Sequence, residues 1–503
     1  MNERSIGVIL SYINIILQVI INLIYIPVLL HYIGKEQYGL YQLIAAVVAY
    51  ISIMDLGFSN AITRFYTMYF HQNDSEKAEN TLAIASFVYG TIAILIFFVG
   101  ILIYSFFNEI FSSLTLNEMS EAKTIYWILF FNVLLTVSTS MFTAVINTHE
   151  KFIFLKIINL IQTLLPSLIV IFFIQFYPNI YFLVLMQLII TLICIIIKIY
   201  YCFSIIKIKI RYYYWDSFLF DNILKLSMSV FIVMISDQIF WRSNQIILGI
   251  NIDTTAVTIY SLAMSICMNY MVLGSVIPGI FNVKLIKLFA EESGFSKISN
   301  EFVKLGRYQI LFLGIFVSGF FLFGNEFIML WLGNGFEQVY LITCALMIPL
   351  TIDFIQSAGQ TILQVKNLYW IKAKIFVILG IINIFCIIFV SKNYDIVFCG
   401  IISAVLLIIG NIIGLNLYYA YKVGLPIKTF WITICSLFKC FLPMVLFGII
   451  LNIVIGFCTI SEISKFIIKV LIYSSVYIFT IYTYVLTDSE KMKVKNIKLK
   501  VGD

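Results

Sequence analysis

The sequence predicts an all-α polytopic membrane protein. It has about 14 transmembrane helices, arranged as two parallel six-helix lobes around a central cavity, with two extra C-terminal helices. Three observations predict it. The 503 residues are 62% hydrophobic and only 11% charged, against roughly 25% charged in a soluble globule. Apolar runs of about 18 or more residues recur along the whole length, as membrane-spanning helices require. Segments about 217 positions apart resemble one another.

The runs, taken in order against their polar breaks, give continuous helices at 7–31, 39–69, 81–107, 123–148, 154–176, 181–204, 223–249, 255–288, 303–325, 338–364, 372–391, 396–421, 430–457 and 465–487. The first run is too long for the apolar region of a cleaved signal and lacks a small-residue cleavage site, so it reads as an uncleaved span. An even number of spans puts both termini on one side. With that side inside, 24 Lys and Arg residues fall on inner ends and loops, five fall outside (Lys35, Lys123, Lys392, Lys465 and Lys469), and Arg64, Arg242 and Lys439 lie within spans. The bias places both termini in the cytoplasm. The basic tail, residues 491–503, then meets anionic lipid heads rather than nucleic acid.

Shifting Leu10-Ser11 by 216 positions lands on Leu226-Ser227, and shifting Asp55-Leu56-Gly57 by 217 lands on Val272-Leu273-Gly274. Such a duplication defines two lobes in the same orientation, 1–210 and 211–425. Helices 13 and 14, residues 426–490, lie outside the repeat. Two lobes around a cavity are the architecture of an alternating-access transporter.

Polar residues form stripes inside this apolar frame. Asn14, Gln18, Asn22 and Tyr25 recur every three or four residues, hence on one helix face. Asn132, Thr136, Ser140, Thr143 and Asn147 do likewise in helix 4, Gln238, Arg242 and Gln245 share a face of helix 7, and Asp353, Gln356, Gln360 and Gln364 follow in helix 10. A wet interior explains four continuous stripes better than interhelical packing contacts alone. Asp55, Asp237 and Asp353 lie deep, where a charge costs roughly 2.5–3.5 kcal/mol, so each must face water, be paired or be protonated. Asp55 and Arg64, nine residues apart on one continuous helix, fall on opposite faces and do not pair.

The nine cysteines lie almost wholly inside apolar runs without CxxC spacing and read as small hydrophobes. The three histidines are scattered, so neither a metal site nor a cofactor is expected. No loop is long enough for a soluble catalytic domain, which weighs against a membrane-embedded glycan polymerase or ligase.

The N-terminal stretch resembles the bacterial polysaccharide-biosynthesis flippases of the multidrug/oligosaccharidyl-lipid/polysaccharide exporter superfamily. The features that carry the match are Tyr25-x-Pro27, Gly34, Tyr38-Gly39-Leu40-Tyr41, Asp55-Leu56-Gly57 and Arg64, with Trp331-Leu332-Gly333 further on. The resemblance implies transfer of an undecaprenyl-pyrophosphate-linked oligosaccharide from the inner to the outer leaflet for surface polysaccharide synthesis, with helices 13 and 14 helping to form a lateral groove for the lipid tail. Relatives that move the peptidoglycan precursor carry cations in the first helix. Here that helix has none after Arg4, which argues against that substrate. On this reading the protein is not an enzyme.

The passenger's chemistry suits the stripes. Glycan hydroxyls fit the amides and aromatic faces of Asn14, Gln18, Asn22, Tyr25, Gln238, Trp241 and Gln245. A pyrophosphate needs cations, and an arginine fork binds phosphate oxygens bidentately, which selects Arg64 or Arg242. Asp55, Asp237 and Asp353 are candidates for proton or sodium coupling, or for ion pairs that exchange between states. The expected partners are the lipid-linked oligosaccharide, membrane lipids and polysaccharide polymerase or assembly proteins. A cation-coupled drug antiporter of the same superfamily is the principal alternative.

Overall fold

The computed structural model describes residues 3–290, 295–366, 368–488 and 490–492. Most of the basic tail thus lies outside the described residues. Those residues are nearly all helical and contain no strand. Thirteen helical segments are long and apolar enough to cross a bilayer, and the chain is an integral multi-pass membrane protein. The first segment, Ile13–His71, is 59 residues long. At about 1.5 Å per residue it is roughly three times the ~30 Å hydrocarbon thickness, so it holds two of the expected crossings. Gly34, at φ 80 and ψ 172, separates them inside α1 (Glu3–Ser52), a geometry that only glycine adopts readily.

Several expected helices are not continuous. The second breaks at Leu56 and Gly57, both at positive φ, before α2 (Phe58–His71). After α3 (Ser75–Ser105) and α4 (Phe107–Ile110), the fourth expected helix divides at Thr139 into α5 (Leu116–Ser138) and α6 (Ser140–Thr148). Past α7 (Phe152–Phe173) and α8 (Ile180–Tyr200), the seventh divides at Arg242 into α9 (Ser217–Trp241) and α10 (Ser243–Asn251). The eighth divides at Ser275 into α11 (Thr254–Gly274) and α12 (Val276–Ala290). Beyond α13 (Phe295–Leu332), the tenth divides at Gln356 into α14 (Glu337–Ile355) and α15 (Ser357–Val365). The chain closes with α16 (Trp370–Asn393), α17 (Ile396–Ile408), the short α18 (Asn416–Tyr418), α19 (Ile427–Gly456) and α20 (Glu462–Thr480). One continuous helix carrying both Asp55 and Arg64 is therefore corrected: the carboxylate precedes the break and the guanidinium follows it.

The breaks repeat. Thr139 and Gln356 are 217 positions apart, and their dihedrals are φ −105, ψ 6 and φ −98, ψ 7. The same offset carries α6 onto α15 end for end, and their C-caps, His149 (φ −79, ψ 10) and Lys366 (φ −81, ψ 4), match as well. The π-helical segments Tyr201–Ile206 and Tyr419–Val423 close on left-handed residues, Lys207 and Gly424, at that offset again. The sequence duplication is thus reproduced in backbone geometry.

Two compact units are formed, Met1–Ser261 with Phe376–Cys399, and Leu262–Ile375 with Gly400–Asp503. In the first, α1 packs on α5 and α7. Tyr126, fully buried, bonds the Gly100 carbonyl (2.8 Å), and the Phe130 ring occupies the space a Cβ at Gly100 would need. Asn80, also buried, receives the Tyr213 amide (3.0 Å) and donates to the Tyr214 carbonyl (2.9 Å), which anchors the linker ahead of α9 to α3. In the second unit α13 packs on α14, α19 and α20. Tyr473 and Tyr477 of α20 bond Ser318 Oγ (2.7 Å) and the Leu311 carbonyl (3.0 Å) on α13, where Gly314 and Gly319 leave room for the rings. Close backbone approach at small residues, with hydrogen bonds across, is how helices associate without a hydrophobic drive.

Candidate functional site

Within the first unit, polar chemistry collects at the two helix breaks at Asp55–Gly57 and Arg242. A broken helix exposes backbone groups that hydrocarbon cannot satisfy. At the first break the Asp55 carboxylate accepts from the Gly57 and Ser59 backbone amides and from the Tyr89 hydroxyl (3.1 Å). A negative charge at the start of α2 complements the positive end of its dipole. This deep acid is held by the helix it precedes.

At the second break the Tyr50 hydroxyl lies 2.5 Å from Ser243 Oγ and donates to the Gln238 carbonyl (3.1 Å). Asn244, fully buried, donates to Tyr260 (2.6 Å) and accepts from Asn383 of α16 (2.9 Å). The Tyr50 bond satisfies one carbonyl of the interrupted turn, and Arg242 is half-buried at the junction. Its Nη1 reaches Gln245 Oε1 at 3.4 Å, a weak contact, and Gln245 Nε2 holds Ser261 Oγ at 3.1 Å. Tyr41 is within electrostatic reach of the guanidinium, and Tyr25 lies beside Tyr38 and Tyr41. Tyr38 in turn receives Gln42 Nε2 at 2.8 Å.

The structure thus brings Arg242, Gln245 and Tyr25 into one neighbourhood, with Gln238 on the turn before the break. Trp241 is the last residue of α9 and half-buried; Asn14 and Asn22 are half-buried on α1 and Gln18 is exposed. Arg64 is exposed on α2 and makes no ion pair among the described residues. Asp237 is exposed. Asp353 lies in the second unit, paired with Lys372 (3.1 Å) and bonded by Gln360 (3.0 Å), so the three deep acids have three different environments.

Sequence reasoning did not place Tyr41, Tyr50, Asn244 and Asn383 in the site: Tyr41 entered only as part of a family motif, Asn244 is off the face shared by Gln238, Arg242 and Gln245, and Tyr50 and Asn383 stand alone in apolar runs. It also missed a polar triad of the second unit, of which only the lysine is buried. There Lys469, 3% exposed, reaches Glu326 Oε1 (2.6 Å) and Asn452 Oδ1 (2.5 Å), joining α20, α13 and α19. Among the described residues no cluster of three or more His, Cys, Asp or Glu is arranged to hold a metal.

Residues 6–281 match a family described as polysaccharide biosynthesis protein. The fold is that of solved exporters. The lipid II flippase MurJ, in an inward closed conformation, superposes with a TM-score of 0.70 at 18% identity, over 95% of this chain and 98% of that one. An inward-facing MATE-family multidrug resistance transporter gives 0.66 at 13% identity, over 80% and 96%. A transporter of the same superfamily from Pyrococcus furiosus gives 0.55 at 13% identity, over 83% and 96%. Comparison with curated protein sequences returns no match.

Proposed function

Because the chain belongs to the polysaccharide biosynthesis protein family, we propose that it moves a lipid-linked oligosaccharide across the bacterial cytoplasmic membrane by alternating access, as a step in surface polysaccharide synthesis. The observation that carries this reading is Arg242, held at a helix break beside Tyr41 and Gln245. A half-buried guanidinium without a carboxylate partner among the described residues suits a pyrophosphate. The surrounding hydroxyls and amides suit a glycan. Arg64, exposed on the other half-helix, is the second candidate cation.

On this reading Asn14, Gln18, Asn22, Tyr25, Gln238, Trp241 and Gln245 line the sugar path. The lobes are 1–210 and 211–425, with 426–490 appended and both termini in the cytoplasm. The carrier is an undecaprenyl pyrophosphate. Asp55, Asp237 and Asp353 are the candidates for proton or sodium coupling, or for ion pairs that exchange between states, and Asp353 meets Lys372 in this state.

The fold shared with a multidrug transporter supports a second reading, a cation-coupled antiporter of small molecules. The two separate by phenotype. Arg242→Ala and Arg64→Ala are made separately and surface polysaccharide is measured at matched protein level. We expect Arg242→Ala to lower output about tenfold or more, the worth of a lost charge-assisted phosphate contact. Wild-type output from both variants removes the cationic site, and drug sensitivity with intact polysaccharide on deletion selects the antiporter.

A further inference from the structure

A polar pocket of about 520 Å³ opens at one end of the second unit. Its walls include Ser299, Lys304 and Arg307 from the first turns of α13, Thr429 from the first turn of α19, and Thr487 and Glu490 from the segment after α20. Helix α13 has 38 residues, about 57 Å, far beyond the ~30 Å hydrocarbon core. Its start carries Lys297, Glu301, Lys304 and Arg307 whereas 308–325 carries no charge, so the hydrocarbon is matched to the later turns and the first turns to the level of lipid headgroups.

One wall is closed by the chain itself. Arg307 Nη1 and the Tyr308 hydroxyl both donate to Glu490 Oε1 at 2.9 Å, and the Thr487 amide donates to Oε2 at 2.8 Å. Arg307 Nη2 takes the Val485 carbonyl at 2.6 Å. The Arg307 charge is thus neutralised in place. Lys304 is different. It is half-buried, it has no carboxylate partner among the described residues, and its recorded neighbour is the Tyr308 ring, 5.9 Å away. Glu301 is occupied by Lys284 at 2.7 Å. Lys297 and Lys428, both exposed, add positive charge beside the mouth.

We propose that this pocket binds the phosphate of an anionic phospholipid headgroup, with Lys304 as counter-ion and the Ser299 and Thr429 hydroxyls as donors. A zwitterionic headgroup suits it less. The carboxylate in the wall already accepts three hydrogen bonds, so an ammonium group meets no free acid. A lipid is favoured over free phosphate because the pocket lies at the bilayer surface, where headgroup phosphate is concentrated. The inference is independent of which cargo the protein carries.

The test uses the full chain in detergent and native mass spectrometry, with added phosphatidylglycerol, phosphatidylcholine or inorganic phosphate. Wild type is expected to retain phosphatidylglycerol about fivefold better than phosphatidylcholine, the worth of one lysine near an anionic headgroup. Lys304→Ala abolishes the preference, Lys304→Arg keeps it, and Lys392→Ala, a cation of the other unit, leaves it unchanged. Should Lys304→Ala fail to run as a monodisperse species, the Ser299→Ala/Thr429→Val pair is expected to weaken retention of phosphatidylglycerol. Equal retention of the two lipids by wild type overturns the proposal, as does an undiminished preference in folded Lys304→Ala, or in the pair if that is what is tested. Displacement of the lipid by millimolar phosphate also overturns it, in favour of a free anion.

Discussion

Thr139 and Gln356 interrupt their helices at the same place in the repeat and with nearly the same backbone angles, yet they are satisfied differently. The Thr139 hydroxyl donates to the Leu135 carbonyl at 2.7 Å. Gln356 is 1% exposed, and neither atom of its amide has a partner among the described residues. The first break is sealed by its own side chain, whereas the second holds an unpaired amide in the interior.

An unpaired buried amide costs about 1–3 kcal/mol. Gln356→Met, similar in volume and without hydrogen-bonding demands, is therefore expected to stabilise the protein by about 1 kcal/mol and to reduce transport, as functional sites that trade stability for activity do. Thermal unfolding in detergent, set beside surface polysaccharide output, reads both. A variant less stable than wild type shows that the amide is paired after all.

Gly39 and Gly34 are five residues apart and should respond in opposite order to intuition. Gly34 has φ 80 but nothing within reach of an added Cβ, while Gly39 lies against the Thr254 backbone carbonyl and the Thr258 side chain. Gly34→Ala puts a side chain into a region that is essentially glycine's alone, a strain of about 1–2 kcal/mol confined to its own backbone. Gly39→Ala must displace a backbone segment that is also tied down by Thr258 to the Lys35 carbonyl (2.6 Å) and by Thr254 to Glu118 (3.0 Å), and is expected to cost more, about 3 kcal/mol. Unfolding midpoints of the two variants decide the order.

For the Lys469–Glu326 pair, removing one partner strands the other. Lys469→Met is expected to destabilise by about 1 kcal/mol, because the stranded Glu326 carboxylate is about a third exposed and solvent screens it, and Lys469→Met/Glu326→Gln to recover most of that loss. A double variant no better than the single would mean that Asn452 alone holds the lysine.

Glu490 lies beyond the last span, and its carboxyl is held down at about 2, against a usual 4.5. Burial opposes this, and the Thr487 amide, the Tyr308 hydroxyl and Arg307 outweigh it. A depressed acid stabilises the fold above its unfolded value and loses that contribution as pH falls. Docking of residues 487–490 is therefore expected to be full above about pH 4.5 and to weaken from there toward pH 2. Hydrogen exchange at this segment should speed up across that window in wild type and stay flat in Glu490→Gln.

The spans were legible in the sequence because the bilayer imposes a length and a composition on every crossing. The duplication was legible too: offsets of 216 and 217 between matched residues foreshadow the 217 at which the breaks recur. The breaks themselves were not. Gly57 is an ordinary signal for one, but Thr139, Arg242 and Gln356 are not helix-breaking residues, and of these three breaks only that at the α9–α10 junction is braced by a tertiary hydrogen bond among the described residues, Tyr50 bonded to Ser243 and to the Gln238 carbonyl. Lys469, counted among outer-loop cations, was misjudged for a related reason. A lysine near a span end looks free to reach water until a carboxylate 143 positions earlier is placed beside it.

That separation also bears on how the protein is made. Glu326 leaves the ribosome well before Lys469, so the acid is already in the membrane when the final helix arrives with its ammonium group. The last segment is thereby given an electrostatic address on α13, and a chain cut short before residue 469 has every other helix yet no means of closing that corner. Quality control of such a fragment would act on a bundle that lacks the Tyr473 and Tyr477 rings of α20 as well as the ammonium group that meets Glu326.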